Sequence, residues 1–293
     1  MPLMGAASFS PAHSFYIVAK VKSMKKIAAL SGACAVIYSA VKIEKIAQIW
    51  MLPATFLGFC LLFAILYWLF LGLFSLHIRL RKTYDKPSKV DYRLLNSGYR
   101  FLCSAARIRL HVTGMEKLPK KERFLLVSNH LSRFDPMIQS MVLKDWMLAF
   151  ISKPSNFTIP IGRRYIRRCC YMPIDRENPR NALKTIKHAA DLITSDTMSV
   201  AVYPEGHRGT GTKLQEFKHG CLKIAVKADC PIVVTAIYGT QKIHRNFPLH
   251  KTDVYFDILD VIEPGKERTV ELSQRIKEKM QIYLDQFTNG EEQ

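Results

Sequence analysis

Paired metal-ligand spacings, internal repeats and low-complexity tracts are all missing from this chain, and acidic residues are few. The seven cysteines, at positions 34, 60, 103, 169, 170, 221 and 230, include no Cys-x-x-Cys pair and leave one over. That pattern indicates neither a zinc site nor a disulfide framework, and a reducing compartment is the simplest setting for it. No Gly-x-Ser-x-Gly elbow occurs, which argues against a serine hydrolase. The glycine-rich stretch after position 205 is no Walker loop either, because it reads Gly211-Thr212-Lys213-Leu214 where Gly-Lys-Ser/Thr must be contiguous. With 24 Asp and Glu against 43 Lys and Arg, the net charge is +19, which calls for an acidic partner or surface. Nucleic acid, anionic lipid and an acidic carrier protein all satisfy that demand. Only the first lacks any supporting motif or stacking aromatic platform, so no nucleic acid is expected.

Charge is also absent from one long run. Ile46 to Leu76 are 31 consecutive residues without a charged side chain, rich in Leu, Phe and Trp. Lipid accommodates such a run, and a crossing needs only about 20 residues, so both a simple span and a helical hairpin broken at Pro53, Gly58 or Gly72 fit. His77, Arg79, Arg81, Lys82, Lys86 and Lys89 follow at once, which by the positive-inside tendency puts the remainder on the cytoplasmic face of the cell membrane. An earlier uncharged stretch, Ile27 to Val41, is 15 residues long and preceded by Lys20, Lys22, Lys25 and Lys26. It is short for a span, and a cleaved signal peptide is not expected because the stronger segment comes later.

From Tyr92 onward the texture is that of a globular domain. An amphipathic helix is expected over 92–106, with strands at 108–112, 124–128, 147–151, 171–174, 199–203, 232–238 and 254–259. Helices are expected at 136–143, 179–193, 220–228 and 269–287. Strands alternating with helices predict an α/β fold, a mostly parallel sheet flanked by helices and preceded by the membrane-embedded segment. The implied organisation is a basic and apolar extension over 1–45, the membrane segment over 46–76, a basic linker over 77–91, the globular domain over 92–288 and a disordered tail over 289–293.

Three stretches carry polar chemistry. Val127-Ser128-Asn129-His130-Leu131-Ser132-Arg133-Phe134-Asp135-Pro136 runs from an apolar strand to a helix start, with Asp135 expected as the N-cap and Pro136 at the first helical position. His130 then sits on the loop, where the Asp135 carboxylate can orient it if the loop folds back. Arg163, Arg164, Arg167 and Arg168 precede Ile174-Asp175-Arg176; the arginine run can bind phosphate, lipid head groups or an acidic carrier, or form a solvated helix face. Tyr203-Pro204-Glu205-Gly206-His207-Arg208-Gly209 leaves a strand for a glycine-rich loop, where Arg208 offers a bidentate fork to an anion. Lys218, near a helix start, could aid such a site.

Together these stretches resemble the 1-acylglycerol-3-phosphate acyltransferases, glycerolipid enzymes sharing an Asn-His-x-x-x-x-Asp motif. Four blocks occur in the family's order over about 90–262: Asn129-His130 with Asp135, Ile174-Asp175-Arg176, Pro204-Glu205-Gly206 with Arg208, and Pro231-Ile232-Val233. His207 and Gly209 stand where the family commonly has Thr and Ser, and Val234-Thr235 where it has Pro-Val.

The resemblance implies transfer of an acyl group from acyl-CoA or acyl-carrier protein to the 2-hydroxyl of lysophosphatidic acid, giving phosphatidic acid. His130 would act as general base and Asp135 as its orienter, with no covalent acyl-enzyme. Lys153 would help the oxyanion or the phosphate. Arg176, Glu205, Gly206 and Arg208 would form the phosphate site, with Glu205 orienting Arg208 or a loop amide. No metal or other cofactor is implied. The partners are membrane lipid, the acceptor and the acyl donor. Another lysophospholipid acceptor is the nearer alternative, and a non-catalytic basic membrane-associated binding protein the more distant one.

Overall fold

The computed structural model of the chain describes residues 23–42, 51–120, 122–175, 178–263, 265 and 267–288. Two long apolar helices come first, α1 (Ser23–Lys42) and α2 (Met51–Phe74). The breaks that a hairpin within this run would need do not interrupt α2. Pro53 falls in its first turn, where no intrahelical N–H is needed, and Gly58 and Gly72 are simply helical. Helix α1, formed where the sequence showed only a short apolar stretch, lies against α2. Tyr38 meets Phe59 edge-on at 6.4 Å, and Gly32 faces Phe56. The stretch Leu52–His77 is the one described helix long and apolar enough to cross a membrane, with mean hydropathy 2.4 and only 6% of its most apolar window buried.

The remaining elements are α3 (Lys89–Ala105), β1 (Ile108–Thr113), β2 (Leu125–Ser128), α4 (Asp135–Val142), β3 (Ala149–Ser152), α5 (Gly162–Arg168), β4 (Met172–Pro173), α6 (Pro179–Thr194), β5 (Val200–Val202), α7 (Lys223–Ala228), β6 (Ile232–Tyr238), α8 (Ile243–Asn246), β7 (Thr252–Ile262) and α9 (Thr269–Thr288). Helix starts follow capping chemistry. Ser88 accepts the Asp91 N–H ahead of α3, and Asn178 accepts the N–H groups of Arg180 and Asn181 ahead of α6, with Pro179 opening that helix.

The seven strands form one sheet in the order β1-β7-β6-β2-β5-β3-β4, parallel except where β6 meets β7. Phe124 to Val127 are four consecutive residues with 0% exposure, as expected for a parallel-sheet strand covered on both faces. Burying each such side chain contributes about 1.5–3 kcal/mol. β6 is likewise buried along its whole length. Since β2, β3, β4, β5 and β6 all run the same way, their carboxyl ends share one edge of the sheet, where crevices of parallel sheets form.

The arginine run folds as α5 and holds the exit of α2. Arg164 donates to the Ile78 carbonyl at 2.6 Å, Arg168 to the Lys86 carbonyl at 2.6 Å, and the Tyr165 hydroxyl to the Leu71 carbonyl at 2.8 Å. Arg168 also lies over the Tyr84 ring, and Arg167 over Phe157. Arg164 and Arg168 thus grip backbone carbonyls, and Arg168 a ring, between α2 and α3, so the phosphate-binding and solvated-face readings of these two both give way to a structural one. Cys169 and Cys170 are buried beside them. Burial pushes the Cys170 thiol up to about 12 and the Cys169 thiol well above the ordinary range, as inert packing residues require.

Candidate active site

His130 follows β2 at the carboxyl edge of the sheet, and the loop folds back so that its Nδ1 lies 2.8 Å from Asp135 Oδ2. Asp135 does not serve as the expected N-cap. It is already the first helical residue, and its oxygens turn back to the loop. Oδ2 accepts the N–H groups of Leu131 at 2.6 Å and Ser132 at 2.7 Å as well as His130, while Oδ1 accepts the Thr240 hydroxyl at 2.6 Å. A carboxylate collecting these donors can only accept from His130, so Nδ1 carries the ring proton and Nε2 is left as the basic nitrogen. Asp135 is wholly buried, whereas the His130 side chain keeps 20% exposure.

Three further elements hold the loop. Asn129 is buried and makes a two-way bond to β6, its Nδ2 donating to the Ile237 carbonyl at 2.9 Å and its Oδ1 accepting the Ile237 N–H at 2.8 Å. The Glu205 carboxylate, 1% exposed, accepts the His130 N–H at 2.9 Å and the Gln215 N–H at 3.1 Å. Glu205 therefore organises loop amides, the second of the two roles expected for it. The Gly209 N–H donates to the His130 carbonyl at 2.7 Å, so the loop after β5 grips the His130 backbone from both sides. Gly206 has φ +76, and the aliphatic part and ammonium of Lys218 pack against it; a Cβ there would lie 3.6 Å from Lys218 Nζ. Gly239, at φ +94, makes the turn after β6 that delivers Thr240, and a Cβ there would collide with the Asp253 carbonyl.

The cationic side chains are less tightly placed. Arg208 and His207 are exposed on the loop after β5. Lys153 is exposed at the end of β3, two strand positions from β2, or about 10 Å across the sheet. Arg176 lies outside the described residues. Lys218, at most an aid to an anion site by sequence, is brought beside Gly206. Among the described residues no group of His, Cys, Asp and Glu could hold a metal ion.

Sequence reasoning missed Thr240, Tyr203 and Gln139. Tyr203 stacks on the His130 ring with centroids 4.2 Å apart and planes 15° from parallel, and its hydroxyl donates to Gln139 Oε1 at 2.9 Å. Burial and then the neighbouring Asp135 and Tyr99 push its phenol well above the ordinary tyrosine range. Its position at the end of a strand, just before Pro204, was the available signal.

Residues 109–238 match the family model described as Acyltransferase. Among curated proteins, a 1-acyl-sn-glycerol-3-phosphate acyltransferase of Chlamydomonas reinhardtii is 29% identical over 161 residues, 55% of this chain and 48% of the relative. A chloroplastic one of Brassica napus is 32% identical over 45% of this chain and 38% of its own length. One of Streptococcus pneumoniae is 27% identical over 61% of this chain and 67% of its length. The chain thus spans about half or less of the first two relatives and two thirds of the third. The crystal structure of the 1-acyl-sn-glycerophosphate acyltransferase PlsC from Thermotoga maritima shares the fold, with TM-score 0.53 and 19% identity over 92% of this chain and 94% of that one. By motif and matched segment, residues 109–238 of this chain are similar to the acyltransferase family that includes the 1-acyl-sn-glycerol-3-phosphate acyltransferases.

Proposed function

We propose that the protein transfers a fatty acyl group from acyl-CoA or acyl-carrier protein to the 2-hydroxyl of 1-acylglycerol-3-phosphate, giving phosphatidic acid. The observation that carries this reading is a histidine whose Nδ1 is held by a buried carboxylate, on a sheet edge that also bears exposed cations. His130 Nε2 takes the proton of the acceptor hydroxyl as that oxygen attacks the thioester carbonyl. Asp135 supports the imidazolium, which then returns the proton to the departing thiolate. General-base assistance of this kind contributes about 10²–10⁴-fold. Because the acceptor supplies the nucleophile, no protein acyl ester forms.

Arg208, Lys153 and Arg176 are assigned to the acceptor phosphate and the thioester oxyanion, with Lys218 a further cation beside Gly206. Glu205 and Gly206 shape the loop that presents Arg208. The acyl chain has a place to lie in an apolar groove of about 590 Å³, between α2 (Ile65, Trp68, Gly72), Leu76, Phe101 and Ile161. Such a groove lets an amphipathic acceptor enter from a bilayer without full extraction, which would cost about 0.8 kcal/mol per CH₂. In this reading α2 inserts in the cell membrane and the sheet domain lies on its cytoplasmic face, held by basic side chains at about 1 kcal/mol each.

The test is purified protein in mixed micelles with lysophosphatidic acid and each acyl donor in turn, with phosphatidic acid followed by mass spectrometry. Product from wild type and none above background from His130→Ala is the expected result. His207 and Gly209, where relatives of the motif carry hydroxyl residues, favour one second reading, the same chemistry on another lysophospholipid. A preference for an acceptor without a phosphomonoester would establish that reading instead.

A further inference from the structure

The bond from His130 to Asp135 fixes one edge of the imidazole but leaves the ring free to swivel about that bond. Tyr203 removes this freedom. Its ring lies 4.2 Å from the imidazole and within 15° of parallel, with Phe150 near-parallel to it at 6.2 Å. The Tyr203 hydroxyl donates to Gln139 Oε1, and Gln139 Nε2 donates to Ser128 Oγ at 2.8 Å. Gln139 and Ser128 are both 0% exposed. Ser128 stands two residues before His130 at the end of β2, and Gln139 stands one helical turn after Asp135 in α4. The network therefore ties the stacked ring to the two elements that carry the dyad, and it reaches them without touching either dyad side chain through a hydrogen bond.

We propose that Tyr203 is a positioning residue for His130: its ring holds the imidazole plane and its π face stabilises the imidazolium, while its hydroxyl locks the ring through Gln139 and Ser128. A cation within about 6 Å of an aromatic centroid is attracted by the ring quadrupole, and the attraction grows when water is excluded. The kinetic consequence rests on the acyl-transfer reading; the electrostatic one does not. The other charged groups at His130 are Asp135, bonded to Nδ1, and Glu205, bonded to the backbone N–H, with Lys218 against Gly206 farther along the loop. All of them are retained in the variants below.

The test compares Tyr203→Leu, which removes the ring, with Tyr203→Phe, which removes only the hydroxyl. In protein labelled at histidine ¹³Cε1 and held in detergent micelles, the His130 resonance is assigned by its loss in His130→Gln and titrated with pH. The midpoint is expected to fall by about 0.5–1 unit in Tyr203→Leu and to stay near wild type in Tyr203→Phe. In turnover, Tyr203→Leu should lose about 10-fold in kcat with acceptor KM little changed, and Tyr203→Phe about two- to three-fold. An unchanged midpoint in Tyr203→Leu, or an equal fall in Tyr203→Phe, overturns the proposal. Pentafluorophenylalanine at position 203 keeps the ring shape and inverts its quadrupole, so it decides the matter if Tyr203→Leu does not fold: the midpoint must fall, and an unchanged one refutes the stack. Absence of any acyl transfer would sink the functional reading while leaving the titration to judge the stack.

Discussion

Among the described residues, two of the buried aspartates, Asp135 and Asp257, keep similar company and differ in what that company can do. Asp135 and Asp257 each accept hydroxyl hydrogen bonds, the first from Thr240, the second from Thr113 and Tyr283. Each has a histidine nearby, His130 for Asp135 and His111 for Asp257. Asp135 binds its histidine directly, at 2.8 Å. His111 Nε2 lies 2.8 Å from Asp253, and its ring stacks on Tyr255. Asp257 lies mid-strand in β7, opposite Thr113 of β1, where the backbone N–H groups belong to the sheet ladder and only side chains are left to meet a carboxylate. Asp135 lies past the end of β2, where loop N–H groups without ladder partners turn inward and stabilise it. Burial pushes the Asp257 carboxyl up, against opposing contributions from the Thr113 bond, His111 and Lys117. The same residue types thus make a poised dyad at a strand end and a structural cluster inside a strand.

Substitutions should separate the two. The largest effect is expected for His130→Ala, a loss of about 10²–10⁴-fold in kcat, whereas His111→Ala keeps kcat within about two-fold. Comparable activities in the two variants would erase the contrast. Next comes Asp135→Asn, which leaves the loop amides facing a weaker acceptor and allows the wrong tautomer of His130; kcat should fall by about 10²-fold or more with folding retained by circular dichroism. Arg208→Ala sharpens the comparison from the substrate side, raising acceptor KM about 10-fold with kcat held, since an exposed loop cation binds without joining the proton transfer.

The smallest effect belongs to Asp257. Its carboxyl value in the folded chain exceeds the ordinary 3.8, so between those two values the folded state binds more protons than the unfolded one. Its contribution is therefore full below 3.8 and is lost as pH rises through the raised value. Asp257→Asn should remove that decline. The melting-temperature difference, wild type minus variant, should shrink from acid pH toward neutrality, with kcat unaltered. A difference that grows with pH would contradict the burial argument.

Much of this fold is legible in the chain because its signals are local. The apolar runs at 124–127 and 232–237 announce buried strands, Asn178-Pro179 announces a helix start, and an uncharged run followed by bases announces α2. The Asn129–Asp135 and Pro204–Arg208 blocks mark the site for the same reason, since each lies within a few residues. What was not legible depends on partners far away in sequence. Thr240 reaches Asp135 across 105 positions, and Tyr203 reaches Gln139 across 64. The arginines of α5 read as anion ligands until the carbonyls of Ile78 and Lys86 are seen beneath them, and α1 has too little amphipathic signal of its own to announce a partner.

By itself the sequence determined most strands and the longer helices of the α/β domain, the apolar helix ahead of it, and the presence of a His–Asp pair at a strand-to-helix junction. Hydropathy period, capping and turn chemistry act over one or two turns of chain, so they are written where they act. Only the tertiary structure decided which donors complete Asp135, that Glu205 serves loop amides, and that Tyr203 lies on His130. Those outcomes follow from strands lying about 4.8 Å apart in an order the chain does not follow, which brings loop ends together whose separation in sequence carries no trace of their contact.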